Sequence, residues 1–318
     1  MSASTITADN AIKVKVKKTV KKNRGESNSL WADSWKRLKK NRTAVVSGFF
    51  IIFICFVAVF AESFSTHSFE EQYADKVLAT PSAEHWLGTD DLGRDMYSRL
   101  VYGARMSMAV GIITAIISFI LGTIFGSLAG WWGGRADAIM MRCVDTLDSI
   151  PTLVLLILVK IFFDSFDLIQ NPELRALTGM LMALSVFGWI MMARVVRGQV
   201  LQTKESLYVE AARSMGASQF TILRKHIFPN ILGPIIVVLS FQIPQFILFE
   251  SILSFIGLGL QPPFSSWGVL ANTGWKTIKS YPHLIIAPAT LLFMTIMAFN
   301  LLGDGLRDAF DPKMRGKM

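Results

Sequence analysis

Charge is scarce in this chain: Asp, Glu, Lys and Arg make up 17% of its 318 residues, against 52% hydrophobic residues. That balance excludes a soluble domain of ordinary composition and points to a membrane protein. Cysteine is scarcer still, with only Cys55 and Cys143, and nothing in the topology supports a disulfide between them. The four histidines, His67, His85, His226 and His283, are spread over three loops with no His-Glu-x-x-His and no Cys pair, a spacing that gives no metal site. The stretch "TDDLGRD" (89–95) has the wrong Asp spacing for a calcium loop. There is no Gly-x-x-x-x-Gly-Lys-[Ser/Thr] loop, so the chain binds no ATP through a P-loop of its own. A Gly-x-Ser-x-Gly elbow is missing as well, and no catalytic constellation replaces it, so no enzymatic activity is expected. No repeat of solenoid length recurs either.

What the chain has instead is long apolar runs. A hydrocarbon layer of roughly 30 Å needs about 20 helical residues, and six runs are candidates: 44–61, 106–130, 149–163 with a helical lead-in from Asp137, 177–196, 231–256 and 284–302. None alternates apolar with polar as a barrel strand would, so the predicted fold is all-α with six transmembrane helices. Val59-Phe60-Ala61 resembles a signal-peptidase site, but the long preceding tail and the later spans predict an uncleaved anchor.

Orientation follows from Lys and Arg beside the spans. The segment before the first span carries a +9 excess, equal to the formal charge of the whole chain. The loop 62–104 is acidic by contrast, which predicts cytoplasmic N and C termini, with 62–104, 164–176 and 257–283 outside. The domains expected are a basic tail (1–43), the first span (44–61), an external segment (62–104), a five-helix core (105–303) and a cytoplasmic tail (304–318). In 30–42, Leu30, Trp31, Trp35 and Leu38 share one helical face, as in an interfacial helix on anionic lipid. Membrane lipid is thus an expected partner and nucleic acid is not.

Several residues inside the spans need a reason to be there. Lys160 and Arg194 are expected to snorkel to the interface, and Arg142 and Asp145, three apart, to pair on one helix face. Glu250 has apolar neighbours on every side, so it either pairs structurally or lines a pathway. Pro151, Pro234, Pro244 and Pro288 predict kinks. Gly122, Gly126 and Gly130 allow another span or another subunit to approach closely.

The polar segment 204–229 interrupts this greasy pattern. It reads as two short helices broken at Gly216, the first with Leu207, Ala211 and Met215 at four-residue steps and the second with Phe220, Leu223 and Ile227 on one side. Ala211 and Ala212 form a small-residue patch open to another protein's backbone. The rival reading is an amphipathic connector on the inner leaflet.

"EAARSMGASQFTILRKHIFP" resembles the EAA loop of ATP-binding-cassette importer permeases, matching at Glu210, Ala211, Ala212, Gly216 and Pro229, with His226 and Phe228 as departures. "LGTDDLGRDMYSRLVYGARMSM", "GWWGGRADAIMMR", "MARVVRGQ", "ILFESILSFIGLGLQPPFSSWG" and "GDGLRDAFDPK" are similar to the C-type permease of oligopeptide and dipeptide importers. The resemblance implies a type I importer permease fold in a prokaryotic cell membrane, with no cofactor on this chain. It also implies a homologous second permease, two cytosolic ATPases that hold ATP and magnesium, and an extracytoplasmic peptide-binding protein. Glu210, Ala211, Ala212, Gly216, Ala217, Phe220 and Pro229 would then couple to the ATPases. An ion-coupled secondary transporter is the alternative, although no inverted repeat is visible.

Overall fold

The computed structural model describes residues 30–165, 169–260 and 263–311. The expectations for 1–29 and 312–318 lie outside the described residues. Among the described residues the regular structure is helical, apart from one isolated bridge between Thr89 and Asp95.

Helix α1 (Leu30–Lys40) carries Asp33 in its first turn and Arg37, Lys39 and Lys40 in its last, charges that suit the helix dipole at both ends. Asn41 starts α2 (Arg42–Val59), its side chain accepting a hydrogen bond from the Ala44 amide at 3.1 Å. A single turn, α3 (Ala61–Phe64), leads into an irregular segment, and Asp95 then caps α4 (Met96–Trp132) through the Ser98 amide. Gly133 separates α4 from α5 (Gly134–Asp148), and α6 (Thr152–Asp164) follows. Pro172 sits in the first turn of α7 (Pro172–Lys204). After α8 (Leu207–Ser214) and α9 (Gln219–Ile222) come a π-turn (Leu223–Ile227) and α10 (Phe228–Phe255), then α11 (Trp267–Lys276) and α12 (His283–Phe310).

Five helical stretches are long and apolar enough to cross a membrane: α2, α4, α7 from Leu174, Gln219–Phe255 and α12; the bent pair α5–α6 is a sixth if counted as one span. The third span therefore departs from a straight helix with a lead-in. α5 and α6 meet at 88°, because Pro151 disfavours helical backbone at Ile150 and α6 opens afresh after it. α6 alone has 13 residues, about 20 Å of helix, too short for the hydrocarbon layer. α5 is the polar arm of the pair, and Cys143 is exposed on it.

The glycine stripe faces another span of the same chain. A Cβ at Gly122 would lie 2.5 Å from Met192 Cβ, one at Gly126 would lie 2.4 Å from the Ala193 carbonyl oxygen, and one at Gly130 would lie 2.9 Å from that of Arg197. α4 and α7 thus touch backbone to backbone, the packing mode available where lipid offers no hydrophobic drive. Beside this pair, Ile51 and Ile54 of α2, Met108 of α4, Ile247 of α10, Trp267 of α11 and Phe299 of α12 form one buried cluster. Val46, Phe49 and Ile52 of α2 point outward and are more than half exposed, as a hydrocarbon solvent allows.

Two charge expectations are corrected here. Lys160 does not snorkel: it is 2% exposed and paired with Asp164, one turn along the same helix. Arg194, whose side chain is 39% exposed, bonds Asp148 at 2.7 Å and Asp145 at 3.0 Å. Asp145 consequently pairs with Arg194 across helices rather than with Arg142, which is exposed. With the bidentate Arg197–Asp137 bridge at 2.5 and 2.6 Å, these contacts tie α5 to α7.

Candidate functional site

The polar elbow 204–229 rests on an apolar foundation. Val209 and Ala212 of α8 and Ile222 of α9 are buried with Met192, Val196 and Val200 of α7, Ile227 of the π-turn, and Ile231 and Ile235 of α10. The elbow's base is pinned by polar bonds as well. Lys204 Nζ donates to the Trp131 carbonyl at 2.6 Å, so a cation closes the C-terminal end of α4. Trp131 Nε1 in turn donates to Gln219 Oε1 at 3.0 Å. The ends of α4 and α7 and the start of α9 are therefore joined by hydrogen bonds.

The bend itself is a Schellman motif. The Ala217 amide donates to the Ala212 carbonyl at 3.1 Å and the Gly216 amide to that of Arg213 at 3.0 Å, with Gly216 at φ +80°. Ala217 packs half-buried against the foundation, and the Ser218 side chain accepts from the Thr221 amide to begin α9. α9 does not end at Pro229 as a second short helix would. It continues through the π-turn into α10, and exposed Pro229 lies just after that π-turn.

The elbow's outer surface is unusual for a polar segment. Leu207 is 82% exposed, Met215 81% and Phe220 70%, and Tyr208, Glu210 and Ala211 are exposed beside them. Four-residue stepping had placed Leu207, Ala211 and Met215 on one face, and all three point away from the core. Ala212 is the exception among the expected contact residues. At 2% exposed it seats α8 on the core and offers nothing to a second protein. Tyr208 gave no signal in the sequence, because an aromatic two turns before Met215 reads equally well as core.

Glu250 belongs to a different place. It is 1% exposed. Ser107 Oγ donates to Oε2 at 2.8 Å, Ser254 Oγ to Oε1 at 2.7 Å and Ser251 Oγ to Oε2 at 3.3 Å, with Ser266 as a fourth partner. Ser107 Oγ also accepts from the Trp267 amide at 3.3 Å, which sets the carboxylate beside the N-terminus of α11. Of the two readings offered by the sequence, the structural one fits: Glu250 fastens α4, α10 and α11 together. Replacing it with Leu strands these hydroxyls at about 1–3 kcal/mol for each donor left unpaired. Glu250→Leu is therefore expected to melt well below Glu250→Gln in detergent, and equal melting temperatures would contradict this role.

A second buried charge cluster holds the segment before α4. Asp90 accepts from the Leu92 and Arg94 amides at 2.9 Å each, from Arg94 Nε at 2.8 Å and from Arg99. All three charged side chains are nearly inaccessible. The "TDDLGRD" motif is thus an ion-paired turn.

The chain matches known proteins along nearly its whole length. Residues 122–316 match the family described as binding-protein-dependent transport system inner membrane component, and residues 29–81 match the N-terminal transmembrane domain of oligopeptide transport permease C. The dipeptide transport system permease protein DppC of Bacillus subtilis is 46% identical over 284 residues, 89% of this chain and 86% of that one. The oligopeptide permease OppC of the same organism is 40% identical, covering 91% of this chain and 92% of its own. A glutathione transport permease, GsiD of Pectobacterium atrosepticum, is 38% identical over 90% and 92%. In fold, the chain is similar to a permease in inward-facing structures of the MetNI methionine ABC transporter, with TM-score 0.55, 19% identity, and coverage of 67% of this chain and 97% of that one. An ion-coupled secondary transporter is thereby set aside. The chain is a non-catalytic, inner-membrane permease subunit of the ATP-binding-cassette importers and belongs to the dipeptide and oligopeptide permease family.

Proposed function

We propose that this chain forms half of a heterodimeric pathway for peptides, with a homologous second permease, two cytosolic ATPases and an extracytoplasmic peptide-binding protein. The exposed Leu207, Met215 and Phe220 around Glu210, on a foundation that cannot yield locally, are the observation that carries this reading. Apolar side chains left out on a polar elbow suit a protein partner better than water. ATP and magnesium would reside in the ATPases, since this chain has no phosphate loop.

The topology reading, with both termini and the elbow in the cytoplasm, is supported by proximity. Trp31 and Arg37 of α1, Tyr208 and Pro229 of the elbow, and Phe310 and Asp311 at the end of α12 line one groove. Arg37 also donates to the Asp311 carbonyl at 3.2 Å. The basic residues Arg37, Lys39 and Lys40 in the last turn of α1 lie at that same end. Closure of the ATPases on ATP would move the elbow as a rigid body, and α4, α7 and α10 would rock with it.

Peptide cargo follows from the dipeptide and oligopeptide relatives. In mild detergent, the full chain is expected to bring down two P-loop ATPases and a second permease, and the reconstituted assembly to take up peptide only with ATP and the binding protein. A lone homodimer that transports peptide at full rate would overturn the assembly.

A further inference from the structure

The segment leading from α3 to α4, at the opposite end from the elbow, gathers side chains that coupling does not use. The rings of His67 and His85 lie 4.7 Å apart between centroids. One ligand atom each from His67, Glu84 and His85 falls within 4.8 Å of the others. Both histidines are anchored through their backbones, His67 by its amide to Ser98 Oγ and His85 by its amide to Ser82 Oγ, each at 3.0 Å.

The wholly buried Asp95 organises the pair. Its Oδ2 accepts from the Ser98 amide at 2.7 Å, and its Oδ1 holds His85 Nδ1 at 2.9 Å. A carboxylate accepts and does not donate, so in the neutral ring Nδ1 of His85 carries the proton and Nε2 presents a lone pair. His85 is 1% exposed, and this Nε2 has no hydrogen-bond partner. A buried, unpartnered imidazole nitrogen with a carboxylate behind the ring is how proteins orient a metal-ligating histidine. His67 Nδ1 sits 3.1 Å from Thr66 Oγ1 and 3.8 Å from Asp95 Oδ1. Glu84 supplies a carboxylate whose Oε1 accepts from Lys76 Nζ at 2.6 Å. The Tyr73 ring stands 5.9 Å from His67 and 5.4 Å from His85 and walls the cluster.

We propose that His67, Glu84 and His85 bind a divalent ion of the zinc class, with Asp95 as the positioning residue behind His85. Two imidazoles and one carboxylate suit zinc and its late first-row neighbours rather than magnesium or calcium. Ligands around tetrahedral zinc stand about 3.3 Å apart. The closure needed from 4.8 Å falls to Glu84, whose side chain is 57% exposed, and to rotation of the His67 ring, which is 18% exposed. The fourth position is left to water. The bound ion clips residue 67 to the loop that carries residues 84 and 85 and fixes the segment against α4.

The test uses the full chain, purified without a polyhistidine tag, stripped with chelator and titrated with cobalt(II) and then zinc. One equivalent of cobalt is expected to give the strong visible absorption of a low-coordinate site, and zinc to bleach it. Glu84→Gln, an exposed change that leaves the turn intact, and His67→Gln are each expected to weaken binding at least tenfold, and Asp95→Asn by about 10–100-fold. Only the weak spectrum of the hydrated cobalt ion, or a titration unchanged in the Glu84→Gln, His67→Gln double variant, overturns the site. The second outcome would place bound metal elsewhere on the chain.

Discussion

Reversing the charge at Glu210 is expected to cut ATP-driven peptide uptake by more than tenfold while the chain still inserts and keeps its helices. Glu210 is exposed in the first turn of α8. Truncating one member of a buried interfacial charge pair costs about 2–5 kcal/mol, and reversal adds repulsion. ATPase activity in the assembled complex should become insensitive to the peptide-loaded binding protein. Gly216→Val acts through geometry instead. A Cβ at Gly216 meets nothing within 4 Å, so the penalty is confined to φ +80° and to the bend direction. It amounts to roughly 1–3 kcal/mol for a β-branched residue. Gly216→Ala should be milder than Gly216→Val. Normal uptake with both Glu210→Lys and Gly216→Val would remove the elbow from the mechanism.

Gly126→Leu should strongly destabilise the packing of α4 on α7. Its Cβ would stand 2.4 Å from the Ala193 carbonyl oxygen and 3.0 Å from the Arg197 nitrogen. Both are backbone atoms of α7 and cannot rotate away, so the two spans must separate at a cost of about 3 kcal/mol or more. Gly198→Leu is the control, because nothing lies within 4 Å of that position on the outer face of α7. Melting of the detergent-solubilised chain should drop sharply for Gly126→Leu and barely move for Gly198→Leu. Equal shifts would show that the stripe does not carry the packing.

The residues read correctly from sequence are those whose role follows from local spacing. Gly122, Gly126 and Gly130 announce a close approach by their four-residue interval, and Gly216 ends α8 as a glycine after a short amphipathic helix should. Partners distant in sequence are a different matter. Arg142 and Asp145 have ideal helical spacing, yet Asp145 pairs with Arg194, because the 88° break at Pro151 swings α5 across α7. The same limit applies to Ala212. A small residue is compatible with a close-approach surface and with a tight core, and only the placement of Val200 and Ile231 decides between them. For Glu250, the four serines come from α10, α4 and the start of α11, so no window of sequence contains the whole site. His67 and His85 meet only because the turn built on Asp90 and Asp95 folds back on α4.

The central claim, that force enters this permease through the elbow from the ATPase side, is tested most directly by a single cysteine at Met215, 81% exposed, in a background lacking Cys55 and Cys143. A membrane-impermeant maleimide is applied to intact cells and to inverted vesicles, and cross-linking to the ATPase is followed with and without ATP. The account predicts labelling only in inverted vesicles and an ATPase cross-link whose yield changes with nucleotide. Labelling from outside intact cells, or no cross-link in a complex that is transporting peptide, would contradict it.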